Sequence, residues 1–279
     1  MNVSRSVFEA AERVLTAASV DARIAETRLA VRGFLDGPPT DGADDGRPPA
    51  PITFVRFPDR PNLVDPRQLP RRNLQAASGR IALLHAVAHI EFTAVSLAWD
   101  LLYRFRGLPD PFYRDWLRVA GEEAEHFELI RRRLNALGAE YGDLPAHRGL
   151  WDVAADTAHD LAARLALVPR GMEARGLDVT PGLIARLAQV GDVESCEVLK
   201  VILRDEVGHV ALGSRWFRWV CEQRGVAPED EYRRQLRLHL RGALRGPYNL
   251  EARREAGFTD TELAELEVAA QRGAIDTGT

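Results

Sequence analysis

The chain has 279 residues, 46% of them hydrophobic and 28% charged, with a formal net charge of −4. This soluble, globular mixture gives no global electrostatic reason to bind nucleic acid or an anionic membrane. The two cysteines, Cys196 and Cys221, are too few for a disulfide framework or a cysteine-rich zinc site, and with charges breaking the long apolar runs and no signal-peptide core at the N-terminus, a reducing, cytoplasmic setting without a membrane span is expected.

In chain order, residues 2–35 read as one or two amphipathic helices, with Val7, Ala10, Ala11, Val14 and Leu15 at helical spacing. Residues 36–73 differ. DGPPTDGADDGRPPAP and the prolines after it deny a regular helix or ladder, so this is an extended arm. Because it also holds ITFVRF, part of it is expected to pack on the body or wrap a partner subunit, which makes a homodimer compatible. From about 74 the pattern becomes strongly helical, with helices expected near 74–106, 110–138, 150–175 and 191–224. GLPDP and GAEYGDLPAHRG act as breakers, and GLDVTPGLIARLAQVGD lies between the third helix and the fourth, with a short helix within it compatible with its pattern. Further helices are expected near 228–244 and 259–272. The fold class is therefore all-α: an N-terminal helical extension (1–35), a proline-rich arm (36–73), a four-helix bundle (74–225) and a C-terminal helical appendix (226–279).

Three of the long helices carry apolar seams of period 3.5, the mark of bundle helices. The first runs Leu84, Ala88, Glu91, Val95, Ala98, Leu102. The second runs Trp116, Ala120, Glu123, Phe127, Ile130, Leu134, Leu137, with His126 on the neighbouring edge. The fourth runs Leu199, Ile202, Glu206, His209, Gly213, Trp216, Val220. The third has a stripe of Leu161, Leu165, Val168 and Met172 with Glu173 at its edge, where Pro169 is expected to bend the helix.

An ionised carboxylate in an apolar seam is costly unless it is paired or binds a metal. A single Glu-x-x-His is common and usually an exposed polar pair. Here two of them alternate with two further seam glutamates, which gives four carboxylates and two imidazoles. Two divalent cations would neutralise the carboxylates, and hard oxygen with imidazole suits iron or manganese. Glu194 and Glu197 rival Glu173 but sit where a first helical turn favours acids. His85 and His89 lie about 240° and 200° around the helix from Glu91 and read as packing or surface histidines. Asp205 and Glu122 read as solvated surface acids, with support of a histidine ligand as the alternative.

On these residues the chain resembles the ferritin-like superfamily of dimetal carboxylate proteins, and within it a bacterial family carried as a domain of unknown function. The resemblance covers roughly 50–260 and rests on PRRNLQAASGRIALLHAVAHIE, AGEEAEHFELIRRRL, VPRGMEARGLD, LRDEVGHVALGSRWF and RGPYNLEARREAGF. It implies the ligand set Glu91, Glu123, His126, Glu173, Glu206 and His209, with Glu123 and Glu206 bridging. MEARG is also similar to the third-helix segment of the ferritin-like tRNA hydroxylases, which favours Glu173 over Glu194. The proline-rich arm, which ferritins lack, argues against simple iron storage. The expected function is a non-haem dimetal oxidoreductase with two metal ions, iron ahead of manganese, acting on an organic small-molecule or anionic substrate with dioxygen or a peroxide. The alternatives are a non-catalytic metal-binding bundle and an RNA-directed hydroxylase. The last rests on Arg233, Arg237, Arg241 and Arg245, four apart on one face, for which a solvated face paired with nearby acids is the preferred reading.

Overall fold

The computed structural model describes residues 6–37, 46–69, 72–240 and 246–275. Among these residues the regular structure is helical, and the one extended pairing is an isolated parallel bridge between Leu63 and Ala146. The chain divides into two compact units, Met1–Asp152 and Val153–Thr279.

The first unit begins with α1 (Val7–Thr16) and α2 (Val20–Leu35). Each starts on a serine whose hydroxyl accepts a first-turn amide, Ser6 from Glu9 and Ser19 from Ala22, so otherwise orphaned donors are met. The apolar stripe of α1 is buried throughout. The long hairpin of this unit is α3 (Ala77–Arg104) and α4 (Asp110–Ala136), and the short connection between them makes them antiparallel neighbours. Arg23 of α2 is fully buried and gathers several segments. Its guanidinium donates to the carbonyls of Val14 and Leu15 at the end of α1, to Ser96 of α3 and to the carbonyl of Arg56 in the arm.

The arm packs, as ITFVRF suggests. Ile52–Phe54 and Pro66–Gln68 form single 3₁₀ turns. The Arg56 amide donates to the Leu15 carbonyl, the Val64 amide donates to the Ala146 carbonyl, and the Ala146 amide donates to the Asn62 carbonyl. Phe54 lies against Tyr103, with centroids 4.9 Å apart. Residues 38–45 and 70–71 fall outside the described set. By length and composition α3 could cross a membrane, with a mean hydropathy of 1.6 over 18 residues, but 72% of that window is buried within the protein. Its Asp100 is paired with Arg104 at 2.6 Å. Such a helix is a core element whose apolar surface the rest of the fold covers.

α5 (Gly149–Asp156) carries the chain into the second unit. Instead of one helix over 150–175, the structure has α6 (Leu161–Leu167), a π-helical turn (Val168–Glu173) and α7 (Ala174–Gln189). Asp160 starts α6 afresh by accepting the Ala162 amide at 2.8 Å. Pro169 cannot donate to a carbonyl one turn back, and the ladder widens there instead of merely bending. The segment between the expected third and fourth helices, GLDVTPGLIARLAQ, is helical throughout, longer than the short helix its pattern allows, despite the internal Pro181. The carbonyl that Pro181 leaves without its helical donor is that of Leu177, and the side-chain amide of Asn249 donates to it at 3.3 Å.

α8 (Val193–Arg224) is unbroken and ends at Gly225, whose φ of 64° is the left-handed conformation a helix stop requires. α9 (Pro228–Leu240), α10 (Leu250–Glu255) and α11 (Asp260–Ile275) follow, and α10 is an element the sequence pattern does not announce. This appendix clamps the broken helix with two buried ion pairs. Arg170 of the π turn donates to both oxygens of Glu262, at 2.8 and 2.9 Å. Arg253 does the same to Asp178, at 2.9 and 2.7 Å. The Arg170 guanidinium also sits 4.3–4.9 Å from the ring centres of Tyr232, Phe258 and Phe217.

Candidate metal centre

In the first unit, Glu91 lies thirteen residues before the end of α3, and Glu123 lies thirteen after the start of α4. At 1.5 Å per residue the two therefore stand level in the hairpin. His126, one turn beyond Glu123, completes a cluster whose ligand atoms lie within 4.8 Å of one another. Its Nδ1 is 3.3 Å from Glu91 Oε2 and 3.7 Å from Glu123 Oε2. All three residues are at most 5% exposed. Burial alone would lower the His126 pKa, but hydrogen bonds and charge from Glu123 and Glu91 push it up to about 11. The two carboxylates thus create a field that holds a cation at this point. A cluster of two carboxylates and one imidazole can hold a metal ion, whose binding would displace the His126 proton.

The second unit repeats the plan in a second hairpin, α7 and α8. Glu173 stands sixteen residues before the end of α7, and Glu206 and His209 stand thirteen and sixteen after the start of α8. Glu206 and His209 are buried and paired, with Oε1 and Nδ1 3.3 Å apart. Glu173 is half-buried at the end of the π turn. Within this unit, among the described residues, Glu173, Glu206 and His209 do not converge to metal-ligand separation as the first-unit trio does. What sets the height of the π turn against α8 is Gly213. A Cβ there would lie 2.5 Å from the Cβ of Pro169, so only glycine lets the proline ring seat on α8 at this level.

The other acids and histidines fall into place. Glu194 and Glu197 are exposed in the first turns of α8, and Glu197 pairs with Lys200. Glu125 is exposed, Glu128 lies 3.7 Å from Arg131, and Asp205 is paired with Arg204. His85 and His89 pack against the 141–149 segment. His85 Nε2 accepts the Gly142 amide at 2.9 Å, while His89 bonds the Tyr141 hydroxyl and the His147 carbonyl. Of the arginine stripe, Arg233 pairs with Asp230 and Glu265. Arg241 and Arg245 lie outside the described residues. Cys196 and Cys221 are free and buried.

Sequence reading misses Arg170, Arg253 and Asp178, which hold the Glu173 segment, and it misses the Asn249 bond to α7. The available signals are slight: Arg170 lies between Pro169 and Gly171 where a helix must break, and Asn249 follows a Gly-Pro breaker as a capping residue should.

The family described as "Protein of unknown function (DUF455)" matches residues 9–264. A Haemophilus influenzae protein described as "Uncharacterized protein" is 44% identical over 219 residues, which cover 75% of each chain. No solved structure matches. With a family match over nearly its whole length, the chain belongs to the DUF455 family.

Proposed function

We propose that the protein is a ferritin-like dimetal oxidoreductase in which Glu91, Glu123, His126, Glu173, Glu206 and His209 hold two metal ions, iron ahead of manganese. The observation that carries this reading is the repetition of one plan. Each hairpin presents a glutamate, on α3 in the first and immediately before α7 in the second, level with a Glu-x-x-His on the helix that follows. One such arrangement is an ion pair in need of a counter-charge. Two of them supply four carboxylates and two imidazoles, the donor set of a dimetal carboxylate bundle, here drawn from residues 74–225. When bound, the metals would supply the redox change that activates dioxygen or a peroxide.

The chain's own residues would do the rest. Glu123 and Glu206 would help to hold both metals, as the resemblance implies. Phe92 and Phe127, adjoining the ligands on α3 and α4 with ring centres 5.4 Å apart, keep water from the first-unit cluster. The substrate is an organic small molecule rather than an RNA, because Arg233 of the basic stripe already faces Asp230 and Glu265, and its neighbour Arg234 faces Glu231. A reducing cytoplasm suits the two buried thiols.

The test is elemental analysis of protein expressed with iron and manganese in excess. Two equivalents of metal are expected in the wild type, with loss in Glu123→Ala and in Glu206→Ala while far-UV circular dichroism stays unchanged. A folded wild type with no metal, or with one equivalent, rejects the reading. Oxygen consumption by the reduced, iron-loaded protein then separates an oxidoreductase from a bundle that only stores or is stiffened by metal.

A further inference from the structure

A cavity of about 160 Å³ opens in the first unit on the side of α3 turned away from Glu91. Its walls come from α3 (Ala86, Ile90, His85), from the end of the arm (Arg72) and from the 144–150 segment (Leu150, His147). No acidic side chain lines it, and no carboxylate pairs with Arg72 among the described residues. Arg72 is an exposed residue of the lining, and its partial burial lowers the pKa of the guanidinium.

Hydrogen bonding fixes what the two histidines offer. His85 Nε2 accepts the Gly142 amide, so its proton is on Nδ1. His147 Nδ1 accepts the Gly149 amide at 3.0 Å, so its proton is on Nε2. Among the described residues neither N–H meets a protein acceptor. Among the described lining residues the side chains with N–H groups to offer are thus a guanidinium and two imidazoles, beside the apolar Ala86, Ile90 and Leu150. That is the complement of an anion carrying a hydrocarbon body. Among the described residues these histidines belong to no cluster of three or more ligand atoms at metal-binding separation. Ile90, half exposed, supplies an uncovered apolar edge at this wall.

We infer that this cavity binds a small monocarboxylate whose apolar body is no larger than an aromatic ring, the size that a cavity of about 150 Å³ accommodates. The carboxylate sits on Arg72 with His85 and His147, and the body lies on Ala86, Ile90 and Leu150. Because Arg72 belongs to the arm and Ala86 to α3, the ligand joins the arm to the helix that carries Glu91. This inference does not depend on the metal reading.

Isothermal titration with benzoate, and with benzamide as its neutral match, tests it. One equivalent of benzoate should bind in the millimolar range or tighter, at least about tenfold tighter than benzamide, the discrimination a charge-assisted pair gives. Arg72→Gln should erase that preference. Ala86→Leu should fill the floor and abolish binding of both without lowering the melting temperature. No saturable benzoate binding overturns the inference, as does equal binding of benzamide. Benzoate binding that survives Ala86→Leu but disappears in Glu123→Ala lies at the metal centre and also overturns it.

Discussion

In the first unit the helix carrying Glu91 is one continuous rod of 28 residues; in the second, Glu173 stands at the end of a π turn between two shorter helices. Helix propensity and the apolar seam are enough to place Glu91, and its level with Glu123 follows from hairpin geometry. Glu173 depends on contacts from elsewhere: Gly213 beneath Pro169, Glu262 on Arg170, Arg253 on Asp178 and Asn249 on the carbonyl of Leu177. The two halves share a donor set, but only the first is assembled to ligand separation by its own hairpin. A half held by remote clamps is the one that can be adjusted by changing those clamps.

The largest test of this contrast is Asp178→Ala. It leaves the Arg253 guanidinium buried without its partner, and breaking a buried pair costs about 3–5 kcal/mol. Urea denaturation should show that loss, and metal held by the second unit should go with it. Native stability and full metal content in this variant would break the distinction. A paired glycine substitution is next in size. Gly213→Ala drives a methyl into Pro169 and should cost about 1–3 kcal/mol by overpacking. Gly121→Ala on α4 meets only a Val31 methyl at 3.1 Å and gains helix propensity, so its melting temperature should stay near wild type. Equal losses at the two glycines would remove the special role of the π turn.

Acid titration probes the first unit. Burial lowers the His89 pKa to about 4, and burial likewise lowers that of His85. An unfolded histidine near 6.5 takes up a proton that the folded residue refuses, so stability is full above pH 6.5 and falls as pH drops toward 4. The slope is at most about 1.4 kcal/mol per pH unit per histidine. His89→Asn should flatten this part of the stability–pH curve measured by urea; an unaltered curve would show that His89 does not titrate as its packing requires. The smallest effect is a coupling. Asn249→Ala removes both the α10 cap and the bond to Leu177 and should cost about 2 kcal/mol in the wild type; beside Pro181→Ala, where the helix supplies its own amide to Leu177, the cap's share of about 1 kcal/mol should remain. Additive losses in the double-mutant cycle would mean that Asn249 does not act through that carbonyl.

The legible parts of the sequence are those governed by one short period. The seams of α3 and α8 are buried at every position read from their spacing, as is that of α4 up to Leu134; Leu137, the capping residue just past α4, is not. A carboxylate at such a position stands out because it breaks the pattern. The third helix is illegible for the same reason, since a periodic reading assumes an unbroken ladder. Pro169 and Pro181 then suggest a bend and at most a short helix, where the structure has a π turn and a repaired helix. Arg253 in EARRE looks like any solvated arginine. Its burial is decided by Asp178, 75 residues earlier, and no local pattern carries that information. The arrangement at His85 and His147 depends in the same way on the irregular 141–149 segment.

The bond from Asn249 to the Leu177 carbonyl spans 72 residues of chain, and that span bears on how the protein is made. As a ribosome extends the chain, α7 emerges with an unmet carbonyl at Leu177 and an acid at Asp178 whose buried arginine does not yet exist. The first hairpin has its ligand residues once α4 is out and its packing partners once the 141–149 segment follows. The hairpin with Glu173 can close only after residues 249–262 have been synthesised, so the half completed last is the one its own sequence leaves unfinished.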